Sequence, residues 1–316
     1  MARCRKTILV SCEIPWNDRN EMIESTFIDE IRSLQDKGFN DLYIFGTAGE
    51  GYAITNEKFK DIVEVFCIEL GRTKAPPMVG VIGLSTATIV ERIGFAFERG
   101  VRSFQISLPS WGILNDTEVE SFFKDVCETF PSASFLHYNL PRVKRVLSGK
   151  DYRRLADKVP NLVATKNTGG GLQRAADLML HAPDLQHFFG EENYPHGCHY
   201  GECSLLSSFA AMEPEATKAL FLAGSEGNSG ELYKWQHYFH DMLFSVFGDL
   251  LAMGRIDGAY DKLIGRMGGL QMPLRLLSPY QSFTDADYEE CLRRLEAFHL
   301  RTAARVGSGS AAKLAE

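Results

Sequence analysis

Three short segments carry side chains that could do chemistry together. Lys166 closes the apolar run Leu162-Val163-Ala164-Thr165-Lys166. Burying an ammonium is costly. A desolvated lysine therefore has a lowered pKa, and part of it is a neutral, nucleophilic amine at neutral pH. Such an amine adds to a carbonyl and forms an imine. Tyr138 ends the preceding run, Leu136-His137-Tyr138, ahead of Asn139-Leu140-Pro141. A phenol there can carry protons while an imine forms or a carbon–carbon bond breaks. The loop Gly46-Thr47-Ala48-Gly49-Glu50-Gly51 follows a further apolar run. Its glycines let a small anion come close to backbone N–H groups. Each segment also has a plainer meaning. Lys166 can be a strand-edge lysine whose ammonium reaches water. Tyr138 can be a packed aromatic with a solvated hydroxyl, and the loop can be a tight turn.

An amine, a proton carrier and an anion cradle cooperate only if the chain brings them to one place. Short, β-branched apolar runs recur at residues 8–12, 41–45, 78–82, 103–108, 134–138, 162–166, 187–189 and 204–207. Amphipathic stretches lie between many of them. Ile23, Phe27, Ile31 and Leu34 repeat with a helical period, as do Phe59, Ile62, Val63 and Phe66 behind the N-cap candidate Thr55. Residues 86–99, 116–129 and 213–223 follow suit. Strand–helix alternation with short connections predicts βαβ units and a parallel sheet, and eight repeats predict an α/β fold of the (β/α)8 TIM-barrel type. A doubly wound sheet would place a glycine-rich turn after its first strand, but Glu13-Ile14-Pro15-Trp16 stands there. In a barrel the strand ends share one mouth, so the three segments converge. Residues 1–225 are the expected barrel. Residues 226–305 form a helical extension with helices over 230–253, 257–267 and 284–301, and 306–316 are a Gly/Ser/Ala-rich flexible tail.

Composition narrows the class. The chain has 316 residues, 45% hydrophobic and 24% charged, with net charge -7. The acidic balance gives no electrostatic reason to bind nucleic acid or an anionic membrane. No run reaches the roughly 18 apolar residues of a spanning helix, and the basic segment from Met1 to Lys6 lacks the apolar core of a signal peptide. Seven cysteines without a C-x-x-C pair are expected to be reduced cytoplasmic thiols. His196, Cys198, His199 and Cys203 lie close together, but their spacing fits no zinc signature. A polar loop and helix start near the mouth accounts for them as well.

Gly46-Thr47-x-Gly49-Glu50, Tyr138-Asn139-x-Pro141 and Lys166-x-Thr168 resemble, in order and approximate spacing, the motifs of the dihydrodipicolinate synthase / N-acetylneuraminate lyase family. The resemblance covers the barrel and extends to the C-terminal helices. It implies a class I aldolase or hydro-lyase in which Lys166 attacks a 2-oxo acid. Tyr138 would relay protons, Thr47 would hold Tyr138, and the N–H groups of Thr47 and Ala48 would grip the substrate carboxylate. Thr168 would belong to the binding site. No metal or organic cofactor would be needed, and a homodimer or homotetramer would be the working form.

Four departures separate the chain from familiar members. Ala48 stands where the family's loop has a second hydroxyl residue. Trp111, in Leu108-Pro109-Ser110-Trp111, replaces the synthases' relay tyrosine and resembles the tryptophan of hydratase-aldolases acting on aryl-ylidene pyruvates. Loop packing or a subunit contact is the alternative for Trp111. Val143 stands where the synthases place an arginine, with Arg142 and Lys144 beside it as candidate substitutes. Gly190, Glu191 and Glu192 stand where neuraminate lyases bind a polyol, with Ser207 as a further sugar-contacting candidate. The acidic pair also suits the first turn of a helix. The expected activity is reversible aldol cleavage of a 2-oxo acid to pyruvate and an aldehyde. Dehydration of a 2-keto-3-deoxy sugar acid and hydratase-aldolase chemistry remain alternatives. A non-catalytic sensor barrel would be expected to lose Lys166 or Tyr138, and both are present.

Overall fold

In the computed structural model, which describes residues 3–312, all eight expected strands form. They are β1 (Ile8–Ser11), β2 (Asp41–Ile44), β3 (Met78–Val81), β4 (Ser103–Ile106), β5 (Ser134–Asn139), β6 (Leu162–Asn167), β7 (Gln186–Phe189) and β8 (Ser204–Ser207). Each pairs in parallel with the next, and β8 pairs with β1, so the sheet closes into a barrel. The helices that return the chain are α1 (Glu24–Asp36), α2 (Asn56–Thr73), α3 (Thr86–Glu98), α4 (Asp116–Cys127), α5 (Gly149–Ala156), α6 (Gly171–His181), α7 (Tyr194–Cys198) and α8 (Pro214–Ser225). Beyond the barrel lie α9 (Ser229–Met242), α10 (Asp257–Met267) and α11 (Asp285–Ala312).

Local chemistry sets these boundaries. Thr55 caps α2 by accepting the Lys58 N–H at 3.3 Å. Asn115 and Glu118 form a reciprocal capping box on α4, as Ser148 and Asp151 do on α5. The helices bury one stripe each; on α1 it is Phe27, Glu30, Ile31 and Leu34. Inside the barrel, Leu9, Tyr43, Leu136, Val163, Ala164 and Phe188 pack together, as expected for a filled barrel interior. The larger apolar cluster lies between strands and helices.

Three features differ from the sequence expectation. Helices α5, α6 and α7 lie outside the segments that periodicity marks, since runs of 8, 11 and 5 residues give a helical repeat little room. The single helix expected over 230–253 breaks after Met242 into a π-helical turn (Leu243–Phe247) and a 3-10 turn (Gly248–Met253). Gly248, at φ +42°, marks the break. Helix α11 runs past residue 301 to Ala312, into the stretch expected to be a tail; residues 313–316 of that tail lie outside the described residues. Among the described residues, no helix is long and apolar enough to cross a membrane.

Candidate active site

The barrel mouth opens into a cavity of about 790 Å³. Lys166 and Tyr138 sit side by side on neighbouring strands, in register across β5 and β6. Both are buried, at 4% and 2% exposure, and both line the cavity. Lys166 Nζ lies 3.9 Å from the centroid of the Tyr138 ring. It donates a 2.7 Å hydrogen bond to the Tyr43 hydroxyl, which rises from β2. Sequence reasoning missed Tyr43. Its signal was a single hydroxyl in the run Leu42-Tyr43-Ile44, on the strand that feeds the Gly46–Gly51 loop.

The loop after β2 is shaped by this pair. A Cβ on Gly46 would come within 2.8 Å of the Tyr43 ring and 3.4 Å of Lys166 Nζ, so only glycine fits. Phe45 and Glu50 flank the loop at φ +62° and +56°. A bulky residue in the left-handed region is strained and must be held there by its surroundings. Glu50 is held firmly. It accepts from Trp16 Nε1, Lys262 Nζ and the Leu277 N–H, each at 2.7 Å. Glu50 is thus the anchor that ties the loop to the C-terminal helices. The anchored loop presents Thr47, whose hydroxyl lies 3.4 Å from the Tyr138 hydroxyl. Thr168 approaches the same phenol at 3.5 Å. Thr47, Ala48 and Thr168 all line the cavity.

The electrostatics of Lys166 differ from the expectation of a lowered pKa. Burial is the largest single influence and favours the neutral amine. The Tyr138 and Tyr43 phenolates and then Asp257 favour the ammonium and together outweigh it, so the pKa lies above the ordinary lysine value. A phenolate exists only in alkaline solution, and burial pushes Tyr43 itself up to about 12. At neutral pH the Tyr43 phenol carries no charge, so its share of the opposition to burial falls away.

Other expected residues divide. Gly190, Glu191, Glu192 and Ser207 line the cavity. Glu191 is buried and accepts from Ser207 Oγ at 2.7 Å and from the N–H groups of Ser208 and Phe209 at 3.0 and 3.3 Å. Burial raises its pKa while these donors oppose the rise. Glu192 is exposed. Trp111 is not brought to the site in this single chain. It is 84% exposed on the connection from β4 to α4 and does not line the cavity. Val143 packs in the core. Arg142, its neighbour, is committed to a bidentate pair with Asp257 at 2.7 Å for both bonds, and Lys144 donates to the Trp111 carbonyl at 3.1 Å. Cys198 and Cys203 bring their sulfurs within 3.6 Å. Among the described residues, no group of three or more His, Cys, Asp or Glu side chains is placed to hold a metal ion.

Sequence reasoning also missed Glu13, Glu30 and Asp261, which line the cavity. The signals were an acid just beyond β1, an acid on the apolar stripe of α1, and the acid directly before Lys262 on α10.

The chain matches the model of the Dihydrodipicolinate synthetase family over residues 5–297. A 4-hydroxy-tetrahydrodipicolinate synthase of Sulfurimonas denitrificans is 24% identical over 227 residues, which is 71% of this chain and 74% of that one. Another, from Exiguobacterium sp., is 25% identical over 218 residues, 68% of this chain and 73% of that one. Among solved structures, YagE, a prophage protein of the dihydrodipicolinic acid synthase family from E. coli K12 in complex with pyruvate, superposes with a TM-score of 0.84 at 15% identity, covering 93% of this chain and 99% of that one. CdNal from Clostridium difficile, in complex with mannosamine, superposes with a TM-score of 0.82 at 16% identity, covering 93% and 99%. At these identities the structural likeness is one of fold.

Proposed function

Because the chain belongs to the dihydrodipicolinate synthetase family, we propose that it is a Schiff-base lyase that cleaves or condenses a 2-oxo acid, with pyruvate as product or donor and an aldehyde as partner. The observation that carries this reading is the buried Lys166 amine, hydrogen-bonded to Tyr43 and beside Tyr138 in the cavity.

In this reading Lys166 Nζ adds to the keto carbon of the 2-oxo acid, and loss of water gives a protonated imine. Tyr138, left as the phenolate after protonating the hydroxyl that departs as water, takes the proton from the hydroxyl on the scissile carbon. The carbon–carbon bond breaks, its electron pair moves toward the imine, and an aldehyde leaves. The enamine that remains takes up a proton, and hydrolysis frees pyruvate and Lys166. Thr47 and Thr168 hold the Tyr138 hydroxyl, and Tyr43 orients the amine.

The two relatives from Sulfurimonas denitrificans and Exiguobacterium sp. are named synthases, yet Val143 and the engaged Arg142 and Lys144 leave no cation from that segment on the cavity wall for a second substrate carboxylate. Glu191 and Ser207 on the wall favour a second reading, dehydration of a 2-keto-3-deoxy sugar acid, with the same imine and a water leaving in place of the aldehyde. Trp111 lies away from the cavity and lends no support to an aryl substrate. Its exposure, with that of Ile113 at 68%, supports a homo-oligomer that covers this surface. Seven free cysteines support a cytoplasmic location.

Borohydride reduction in the presence of pyruvate tests the reading. The reduced adduct is expected on Lys166, and Lys166→Met should remain unmodified. An intact-mass spectrum of the wild-type chain without the adduct would sink the imine mechanism.

A further inference from the structure

The cavity extends beyond the lysine to a wall built from the β1–α1 connection, α1 and α10. Glu13 and Glu30 line it, at 4% and 2% exposure. The Glu13 N–H donates to Glu30 Oε1 at 2.9 Å, which holds the two residues together. Glu30 Oε2 is buried and has no hydrogen-bond partner, and Glu13 Oε2 is buried with only the neighbouring Ser11 hydroxyl acting on its carboxyl. Asp261 lines the same cavity from α10. So does Asn193, 5% exposed, whose Oδ1 is a further buried oxygen without a partner. An unsatisfied buried polar atom is costly, and several around one cavity call for a ligand that satisfies them.

The acids on the wall define that ligand. Glu13, Glu30, Glu191, Glu192, Asp257 and Asp261 line the cavity, whereas Lys166 is its one lysine and no arginine lines it among the described residues. Asp257 is paired with Arg142. Lys262, behind the wall, is already bound to Glu50 and to the Arg275 carbonyl. The exposed His237 and His240 also line the cavity, from α9. The unpartnered atoms named above are all oxygens. A carboxylate on the far end of a substrate would find acids here and no lysine or arginine; burial favours the protonated form of Glu13 and Glu30, and an arriving cation favours the ionised form. A primary ammonium brings three N–H donors and a positive charge.

We propose that Glu13 and Glu30, with Asp261, form a subsite for a primary ammonium at the end of the substrate remote from the reacting carbonyl. The substrate class is then an amino-bearing 2-oxo acid, or, in the condensing direction, pyruvate with an amino aldehyde. The assignment rests on the imine reading of Lys166 for its chemistry and on the cavity wall for its selectivity.

The test is aldol addition of pyruvate to three aldehydes of similar length: 3-aminopropanal, 3-hydroxypropanal and succinic semialdehyde. The amino aldehyde should be preferred over the hydroxy aldehyde by about tenfold or more in kcat/KM, as a charged hydrogen bond gives, and the acidic aldehyde should be the poorest. Glu13→Gln/Glu30→Gln should remove the preference by raising KM for the amino aldehyde, while its pyruvate–borohydride adduct still forms on Lys166. Equal or better use of the hydroxy or acidic aldehyde, or unchanged selectivity in the double variant, overturns the subsite. Calorimetric titration with 3-amino-1-propanol and with 1,3-propanediol needs no imine chemistry. Saturable binding of the amine alone, lost in the folded double variant or in Glu13→Gln alone, is expected. If the pyruvate adduct fails to form while the amine still binds, the imine reading falls and the subsite stands; if the amine does not bind, the subsite falls.

Discussion

Lys262→Met probes the buried ion pair that anchors the Thr47 loop. Lys262 and Glu50 are both fully buried, with Nζ 2.7 Å from Oε1. Removing the ammonium leaves the Glu50 carboxylate with the Trp16 and Leu277 N–H donors alone. Breaking one side of a buried pair costs about 3–5 kcal/mol, because the remaining charge is uncompensated. Unfolding entropy is about 2.1 cal/mol/K per residue. For 316 residues, that loss lowers the melting temperature by about 5–8 °C. Thermal melts at pH 7, followed by circular dichroism, measure it. The double variant Glu50→Gln/Lys262→Met carries no stranded charge and should melt above Lys262→Met. A Lys262→Met melting point within about 2 °C of wild type, or a double variant no better than the single, would refute the reasoning.

Tyr138→Phe should lower turnover by about 10²–10⁴-fold, as loss of a proton relay does, with a pyruvate-release assay as the measure; a near-wild-type rate removes the phenol from the chemistry. Cys198 should react first with iodoacetamide: it is partly exposed, and its thiol pKa is lowered, first by the Cys203 thiol. Peptide mapping that finds buried Cys12 or Cys127 modified earlier contradicts this. Burial first pushes Glu13 and Glu30 up to about 8, so the folded state holds protons that the unfolded chain releases above pH 4.5. Stability should fall as pH rises from about 4.5 to about 8 and level off above. Denaturant melts across this range should show a smaller fall for Glu13→Gln/Glu30→Gln.

The barrel was legible because its strands are short, buried runs and its longer helices keep one apolar stripe. Helices α5 and α7 were not, being too short for a repeat to register. The Lys166 and Tyr138 positions were legible because each ends a strand, and parallel strand ends share a mouth. Tyr43 was not, because its hydroxyl gains meaning only from Lys166, distant in sequence. Trp111 shows the converse: a residue type suggestive in sequence lies on the outer surface of the single chain.

Glu30 shows why burial, and not residue type, is the missing variable. Its place on α1, between Phe27 and Ile31, belongs to the buried stripe. A glutamate there invites the assumption that the helix turns it to water, yet it faces the cavity, hydrogen-bonded to the Glu13 N–H. An apolar residue would fill that position without the desolvation cost. Two such acids on one wall of the cavity that Lys166 lines make selectivity for a cationic substrate end the simplest explanation of a costly arrangement. The same wall makes Val143, where the synthases place an arginine, coherent: a site that offers acids and no arginine to the far end of the substrate is not built for a second carboxylate.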